Sequence, residues 1–469
     1  MPGTHHNGPV VRRARSRWTA LLVGLLVGLL AAAGGAFAAE DPWRRDHEAL
    51  LQGLARHYAN FEDLLTERRL DLPALVARDR AALAAARSDA ERRAVFERLL
   101  RDLRDPHVRI EWPAAALAET TAAAGGPGPV CDPALLSLGA APGLAFRRLP
   151  GWTALAGPGG ELFAAGVLAP PGGVPVGVLR LPVFIESAFE PACRHAAAAM
   201  QRAPADPCDE RCAERRDQLA ADHLNAALRQ ALQALAAAGA RRIAVDVTNN
   251  PGGSDWAEAV ARLLAGPMHS ARIAMLRHPA WLAWIDARLA DATPDDARLL
   301  RQLRPQVAQG CDLSAAWHDS ALATGQRPLP CSTLVDGGLH TLGFSASGPG
   351  PAAPAATGLP LFVLIDDDTH SAAEQFAALL QDHRRATLLG VVSAGAGCGH
   401  YTGGDGTSFT LPASSARVRV PDCVRLRADG SSERRGIVPD RLLPWAPSDS
   451  AWQRAAKAAA ALGATTPAR

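Results

Sequence analysis

The apolar positions of this chain follow two periods, and the change between them divides it into two regions. Between residues 41 and 112 apolar side chains recur every three to four residues, as in 90–103, which predicts amphipathic helices. From residue 177 onward, short apolar runs alternate with longer Ala-rich amphipathic stretches. This alternation predicts buried strands separated by helices, and hence an α/β core behind a helical N-terminal domain.

The same pattern predicts individual elements of the core. We expect strands at 178–184, 242–248, 273–276, 361–365 and 387–392, helices at 255–264 and 451–462, and hairpins within 407–427. An Ala-rich stretch up to residue 238 predicts a long helix that is interrupted near 204–207.

The predicted domain boundaries follow from these elements and from Pro- and Gly-rich stretches. They are a signal peptide at 1–38, a helical domain at 39–112, a linker and irregular segment at 113–175, a core at 176–446 with an insertion at 279–358, and a C-terminal helix and tail at 447–469.

The N-terminus has the pattern of an export signal. Four arginines between positions 12 and 17 precede the apolar stretch 18–33, and Ala36 and Ala38 supply the small residues of a cleavage site. We expect cleavage after Ala38, a periplasmic or secreted protein, and no stable membrane span in the mature chain; an uncleaved anchor is the alternative.

The eight cysteines suit disulfides in an exported protein. Neighbour spacing predicts the pairs Cys311–Cys331 and Cys398–Cys423. Four others remain without an assigned partner: Cys131, Cys193, Cys208 and Cys212. The spacing of Cys208 and Cys212 is half of a zinc pattern, but no suitable second pair follows, so we predict no metal site.

Composition narrows the function further. The 469 residues carry a net charge of +2 without a long basic run, which argues against nucleic acid as a partner. Lysine occurs once, at Lys457, so a mechanism that needs a lysine in the core has none to use.

Ser371 is the strongest candidate for chemistry. It follows a predicted strand and a turn of three aspartates and a threonine, and it opens an Ala-rich amphipathic helix. There a hydroxyl lies at the positive end of the helix dipole, and the next amide can point at an oxyanion. The alternative is a capping box between Ser371 and Glu374, in which the two residues satisfy each other's amides.

Four segments together resemble a known family. They are 103–107 (LRDPH), 246–254 (DVTNNPGGS), 361–382 around Ser371, and 433–440 (ERRGIVPD). In this order they resemble the tail-specific and tricorn-type serine peptidases, over most of 178–445 plus His107. The resemblance implies a crotonase-like spiral of ββα units behind a helical region, and no cofactor.

The family has two catalytic arrangements, and the resemblance favours one. A Ser–Lys dyad would place its lysine near Ala396, so that dyad is unavailable here. The tricorn-like branch pairs the serine with a histidine in a motif much like 105–107. By that resemblance Ser371 is the nucleophile, His107 the base, Glu433 a hydrogen-bonding support on the histidine side, and the amides of Gly253 and Ala372 the oxyanion hole.

Some assignments stay open from the sequence. The other conceivable bases are His383 and His400, whereas the side chain of His370, adjacent to Ser371, should point away from the hydroxyl. The branch also uses a second hydroxyl, for which the candidates are Thr369, Ser393 and Thr402. Each assigned residue also has a structural explanation: His107 and Gly253 as parts of turns, and Glu433 as a solvated residue of a charged loop.

Two functions are therefore compared. The first is an exported serine endopeptidase that cleaves short or unfolded peptides, since 114–173 lacks the glycine-rich loop of a peptide-binding PDZ module. The second is a non-catalytic protein on the same fold that binds peptides or apolar ligands. It is suggested by the missing lysine and by three tryptophans of the insertion: Trp281, Trp284 and Trp317. No oligomeric state is predicted.

Overall fold

The computed structural model describes residues 41–113, 128–340, 358–403 and 406–464. The predicted signal peptide lies outside these residues. Within the described ranges, no helix combines the length and the apolarity needed to cross a membrane.

The helices begin mostly at capping residues, such as Ser88, whose side chain accepts the amide of Glu91. The α-helices of the described residues are α1 (Pro42–His57), α2 (Phe61–Thr66), α3 (Leu72–Ala85), α4 (Asp89–Asp102), α5 (Pro133–Gly139), α6 (Pro158–Leu162), α7 (Glu190–Ala199), α8 (Glu210–Ala237), α9 (Trp256–Ala265), α10 (Pro279–Arg288), α11 (Pro294–Val307), α12 (Ser320–Ala323), α13 (Ala372–Asp382) and α14 (Ala451–Gly463).

The strands form three sheets. They are β1 (Arg109–Glu111), β2 (Trp152–Ala154), β3 (Gly166–Leu168), β4 (Val176–Arg180), β5 (Arg242–Asp246), β6 (Arg272–Leu276), β7 (Leu334–His340), β8 (Leu361–Ile365), β9 (Thr387–Gly390), β10 (Phe409–Thr410), β11 (Arg417–Arg419), β12 (Cys423–Leu426) and β13 (Arg441–Leu442).

A seven-stranded mixed sheet forms the centre, in the order β13-β9-β8-β5-β4-β3-β2. Within this sheet, β4, β5, β8, β9 and β13 run parallel to one another, whereas β3 and β2 are added in antiparallel pairing. Parallel strands buried on both faces read as continuous apolar runs, which is the pattern of β4, β5 and β8.

Helices cover both faces of this sheet. Apolar residues of α7, α8, α9 and α13 pack on one face and form the largest core cluster. On the other face, α14 packs with Phe146 and Leu149 against β4, β5 and β8. The prediction of an α/β core is therefore confirmed.

The helical N-terminal region forms a second core that extends beyond its predicted boundary. Residues 313–323 of the predicted insertion pack into it, and Trp317 donates its indole N–H to the carbonyl of Leu51 (2.8 Å). Trp281 packs in another cluster, together with residues of β6 and β12, and is also fully buried. The tryptophans therefore belong to two separate cores and do not line one ligand pocket.

The segment predicted as irregular contributes to the main sheet. Strands β2 and β3 lie within 113–175 and pair with each other and with β4. Each has only three residues, too few for a periodic pattern to be visible in the sequence.

All eight cysteines are paired. The predicted pairs Cys311–Cys331 and Cys398–Cys423 are formed. The four unassigned residues form Cys131–Cys193 and Cys208–Cys212. The last pair occupies both thiols of the half-pattern that resembled a zinc site.

Candidate active site

Two neighbouring parallel strands bring the predicted motifs together. Strand β5 is followed by the Asn-Pro-Gly-Gly turn and α9, and β8 is followed by the Ser371 turn and α13. Because β5 and β8 are paired in parallel, both turns leave the sheet at the same edge. A Cβ atom on Gly252 would lie 2.7 Å from the Cβ of Ser371, so the two turns touch.

Ser371 has an unusual backbone conformation at the turn between β8 and α13. Its φ is 52° and its ψ is −116°, a conformation that L-residues adopt only when neighbouring contacts hold it. Its amide donates to Glu374 Oε2 (2.9 Å), and its carbonyl accepts from Arg425 Nη2 (2.8 Å). The two bonds fix the peptide groups on either side of the strained residue.

Glu374 does more than cap a helix. This fully buried carboxylate also accepts hydrogen bonds from the Ser393 hydroxyl (2.6 Å) and from the amides of Gly395 (2.6 Å), Ala396 (2.8 Å) and Gly397 (3.2 Å). The capping residue suggested by the sequence is therefore the centre that holds the loop 393–397 against the nucleophile turn. Ala396, where a dyad lysine would stand, is buried in this loop.

Glu433 supports the nucleophile side of the site and not the histidine. Its Oε2 accepts from Arg425 Nε (2.7 Å), and both side chains are buried. Arg425 in turn donates to the carbonyls of Ser371 and Gly397 (2.8 Å each). Burial raises the pKa of Glu433, and the charge of Arg425 opposes that rise. The expectation of a direct hydrogen bond to the histidine is not met.

The glycine turn lies against the Ser371 turn and is ordered by Asn250. Asn250 orders the turn, since its Oδ1 accepts the Gly252 amide (2.8 Å) and its carbonyl accepts the amide of His370 (2.9 Å). Among the described residues, the amides of Gly253 and Ala372 donate to no other group. Gly253 has a φ of +143° and lies against the carbonyl of Phe184, where a Cβ atom would clash.

His107 reaches the serine across the interface of the two cores. Its Nε2 lies 3.1 Å from the Ser371 Oγ, although the residues are 264 positions apart in the chain. A Cβ atom at position 399 would lie 3.2 Å from the imidazole Nε2, so Gly399 leaves the space that the ring occupies. This pair has the spacing that proton transfer from a hydroxyl to an imidazole requires.

The carboxylate beside the imidazole is Asp105. Its Oδ1 accepts the amide of His107 (3.0 Å) and lies 3.6 Å from the buried Nδ1. Its Oδ2 accepts from the Tyr58 hydroxyl (2.8 Å) and from Asn60 Nδ2 (3.0 Å), with Arg434 Nη1 at 3.8 Å. Burial works to raise the pKa of Asp105, but the bonds with His107 and the charge of Arg434 outweigh it and lower that pKa.

Among the described residues, the three other histidines considered from the sequence are not placed to act as the base. His383 binds the Leu379 carbonyl and the His269 amide. His400 lies edge-on to His107 with ring centroids 6.3 Å apart, and burial followed by the charge of His107 lowers the pKa of His400 to about 4. The described contacts of His370 include no bond from its ring to Ser371.

The three candidate hydroxyls make other bonds. Thr369 bonds to the Val247 carbonyl and to Asp366, Ser393 to Glu374, and Thr402 to Asp422. In the described parts of the chain, none of them bonds to His107 or Ser371. Likewise, these parts contain no group of three or more His, Cys, Asp or Glu placed to hold a metal ion.

Three residues of the site were not assigned from the sequence. Asp105 stands two positions before His107 in the same motif, and this spacing could have indicated a carboxylate beside the imidazole. Arg425 is one of many arginines, and no motif in the sequence distinguishes it. Arg434, next to Glu433, donates to the carbonyls of Arg104 (2.9 Å) and Gly395, and so ties the histidine motif to the loop 393–397.

Comparisons with known proteins agree with this site. The sequence model of peptidase family S41 matches residues 308–442, less than a third of the chain, and this part holds Ser371, Glu374, Arg425 and Glu433. No curated protein matches the chain.

Solved structures show the same fold over nearly the whole chain. The crystal structure of mature CPAF has a TM-score of 0.55 at 15% identity and covers 89% of this chain and 95% of its own. Mature CPAF complexed with lactacystin has a TM-score of 0.54 at 15% identity, with coverages of 89% and 96%. The chain is therefore similar to peptidase family S41 in residues 308–442 and shares the fold of mature CPAF over 89% of its length.

Proposed function

We propose that the protein is an exported endopeptidase that cleaves peptide bonds through an acyl-enzyme on Ser371, with His107 as the base. The observation that carries this proposal is the 3.1 Å separation between the Ser371 Oγ and the His107 Nε2. With Lys457 remote in sequence and bonded to Asp449 (2.6 Å), a lysine base is not at hand.

The first step follows from the geometry. Ser371 Oγ attacks the scissile carbonyl carbon while His107 Nε2 takes the hydroxyl proton. The carbonyl oxygen becomes an oxyanion beside the free amides of Gly253 and Ala372. One such donor is worth about 3 kcal/mol of transition-state stabilisation, which is why a rigid glycine turn matters.

The imidazolium then gives its proton to the leaving amine, and the C–N bond breaks to leave the acyl-enzyme. A water enters, His107 takes one of its protons, and the attack of the resulting hydroxide releases the second product and restores the serine. For Nε2 to accept a proton, the hydrogen of the neutral ring must be on Nδ1. Asp105 Oδ1, at 3.6 Å, is the group that favours this tautomer and the imidazolium, so we assign Asp105 as a positioning residue.

Export and substrate complete the proposal. Four disulfides and the N-terminal pattern support a periplasmic or secreted protein. The family supports a peptide or unfolded protein as substrate. The crotonase-like ββα spiral of the core remains a prediction from the family resemblance. No observation favours a non-catalytic binder, since Trp281 and Trp317 are core residues.

The test is labelling of the oxidised protein with a fluorophosphonate probe. We expect the wild type to be labelled, Ser371→Ala to be unlabelled, and His107→Ala to react at least about 100-fold more slowly. His400→Ala is the matched control, because this ring contacts His107 but bonds to neither serine nor substrate; its labelling should persist. A folded wild type that does not react with the probe would contradict the proposal.

A further inference from the structure

A cleft of about 690 Å³ opens beside the proposed catalytic pair, between the end of the helical domain and the nucleophile turn. Pro106 and Val108, the neighbours of His107, line one side, and His370, the neighbour of Ser371, lines the other. A peptide bound across Ser371 therefore has a side chain or a chain end within reach of this cleft.

Arginines dominate the free charges of the cleft. Arg101, Arg104 and Arg109 line it and are exposed, and within the described residues none of them forms an ion pair. The two glutamates of the lining already have partners: Glu97 accepts the indole N–H of Trp112 (3.2 Å), and Glu111 lies 3.8 Å from Arg419. Asp105 is buried and engaged with His107, as described above.

The adjoining sheet adds a second, independent observation. Strands β1 and β11 are antiparallel, and their register sets Arg109 directly opposite Arg419. Like charges at directly opposed positions of a sheet are unfavourable. Arg419 also has a buried Nε with no partner in the described part of the chain. Because Glu111 lies 3.8 Å from Arg419, Arg109 is the member of this pair that has no counter-ion among the described residues, and an anion beside it would reduce the repulsion.

This positive charge lies close to the catalytic histidine. Both Arg109 and Arg419 act on His400, whose ring contacts His107, and they help to lower the pKa of His400. Alternation along β1 points Arg109 to the open face while Ile110 packs against the helical core. The charge is thus presented at the cleft and is not part of the packing.

We propose that this cleft binds a carboxylate of the substrate near the scissile bond, with Arg104 and Arg109 as specificity-determining residues. The inference rests on the proposed peptidase function and names its substrate class: peptides with an acidic side chain close to the cleaved bond. A carboxylate is the group that guanidinium groups recognise in two-pronged fashion.

The experiment compares kcat/KM for matched fluorogenic peptides carrying Glu or Gln at each position around the cleavage site, with free and with amidated C-termini. The wild type should prefer the acidic peptide by about tenfold, the usual effect of a hydrogen bond to a charged group. High salt should reduce this preference, because exposed charges are screened. A preference that survives amidation assigns the carboxylate to a side chain, and one that amidation abolishes would overturn the inference.

The decisive variant is the double substitution Arg104→Gln/Arg109→Gln. It should reduce the ratio of kcat/KM between the acidic and the neutral peptide from about ten to about one. The double substitution Arg211→Gln/Arg301→Gln removes the same two charges from exposed positions outside the cleft and should keep the preference. Equal wild-type rates on both peptides, or a preference that the first variant retains, would overturn the inference.

The two proposals fail in distinguishable ways. Binding of the same peptides to Ser371→Ala measures the cleft without catalysis, and the acidic peptide should bind about tenfold more tightly than the neutral one. If the wild type neither reacts with the fluorophosphonate nor cleaves peptides, the peptidase proposal fails, and this binding ratio alone decides the carboxylate site. Equal binding of both peptides overturns it.

Discussion

The carboxylate beside His107 comes from its own turn and not from a distant segment. Asp105 and His107 are two positions apart, and one oxygen of Asp105 contacts both the amide and the side of the imidazole. Glu433 instead neutralises Arg425, which holds the carbonyl of Ser371. The two acids therefore serve opposite members of the proposed pair.

Substitution of the two acids separates these roles. Asp105→Asn should lower kcat by about 100-fold or more with little change in KM, because the histidine loses the charge that orients it. Glu433→Gln should instead mainly reduce the free energy of unfolding, since it leaves the buried charge of Arg425 without a counter-ion. Steady-state kinetics and denaturant unfolding of both variants check this. A larger loss of kcat in Glu433→Gln than in Asp105→Asn contradicts it.

A third acid, Glu186, is expected to make the free energy of unfolding depend on pH. Its Oε2 accepts the Ser254 hydroxyl (3.0 Å), next to the glycine turn, and burial raises its pKa to about 7. Between about pH 4.5 and 7 the unfolded chain has lost this proton while the folded protein keeps it. The contribution to the free energy of unfolding therefore falls as the pH rises through this range.

Glu186→Gln should remove that dependence. Relative to the wild type, the variant should be more stable at pH 8 by about 1–2 kcal/mol, a value reduced for the partial exposure of the side chain, and little changed at pH 4.5. Urea unfolding at the two pH values measures the difference. A variant that gains the same stability at both pH values would show that Glu186 keeps no proton in the folded state.

At the level of elements, two strand-to-helix turns make the site because β5 and β8 are neighbours in parallel. The turn after β5 must approach the turn after β8 without a side chain between them, and Gly252 meets this need with a φ of +96°. The contact between the turns, and not either turn alone, sets the distance from the amide of Gly253, proposed for the oxyanion hole, to the serine.

Gly252→Ala should therefore abolish most activity. Its Cβ would lie 2.7 Å from that of Ser371, so the turns must separate, and we expect kcat/KM to fall by at least about 100-fold. Gly239→Ala is the control, because Gly239 has a φ of +91° with open space around its Cβ position. It should cost about 1 kcal/mol of stability and no activity. Equal activities of the two variants would contradict the close contact.

At the scale of the whole molecule, the proposed catalytic pair spans two cores. Ser371 belongs to the central sheet, whereas His107 follows α4 of the helical region. The disulfide Cys398–Cys423 lies beside Gly399, against which the imidazole packs, and so stabilises the junction of the two cores.

Removal of that disulfide should affect both stability and activity. Cys398→Ser/Cys423→Ser opens a loop of 25 residues, for which the chain-entropy estimate is a loss of about 3 kcal/mol in the free energy of unfolding. Peptidase activity should fall in proportion to the fraction of molecules in which His107 no longer lies beside Ser371. Cys208→Ser/Cys212→Ser, which opens a loop of only four residues, should keep full activity. A fully active first variant would contradict the role of the junction.

The sequence alone determined the class of the fold and the identity of the proposed catalytic pair. Long periodic stretches such as α13 and continuous apolar strands such as β8 are decided by local patterning, and motifs adjacent to strand ends bring their residues to one edge of the sheet. The spacing of Cys311–Cys331 and Cys398–Cys423 was likewise sufficient for those disulfides.

Only the tertiary structure decided which groups meet across long chain separations. The bond from Arg425 to the carbonyl of Ser371, the position of Asp105 between Tyr58 and Asn60, and the packing of Trp317 into the helical core depend on contacts between distant segments. The sequence permits short strands in 131–173 but does not place β2 and β3, because three residues carry no period and gain their order from β4. Local sequence specifies local conformation, whereas partners across the fold are selected by packing and by the need to neutralise buried charge.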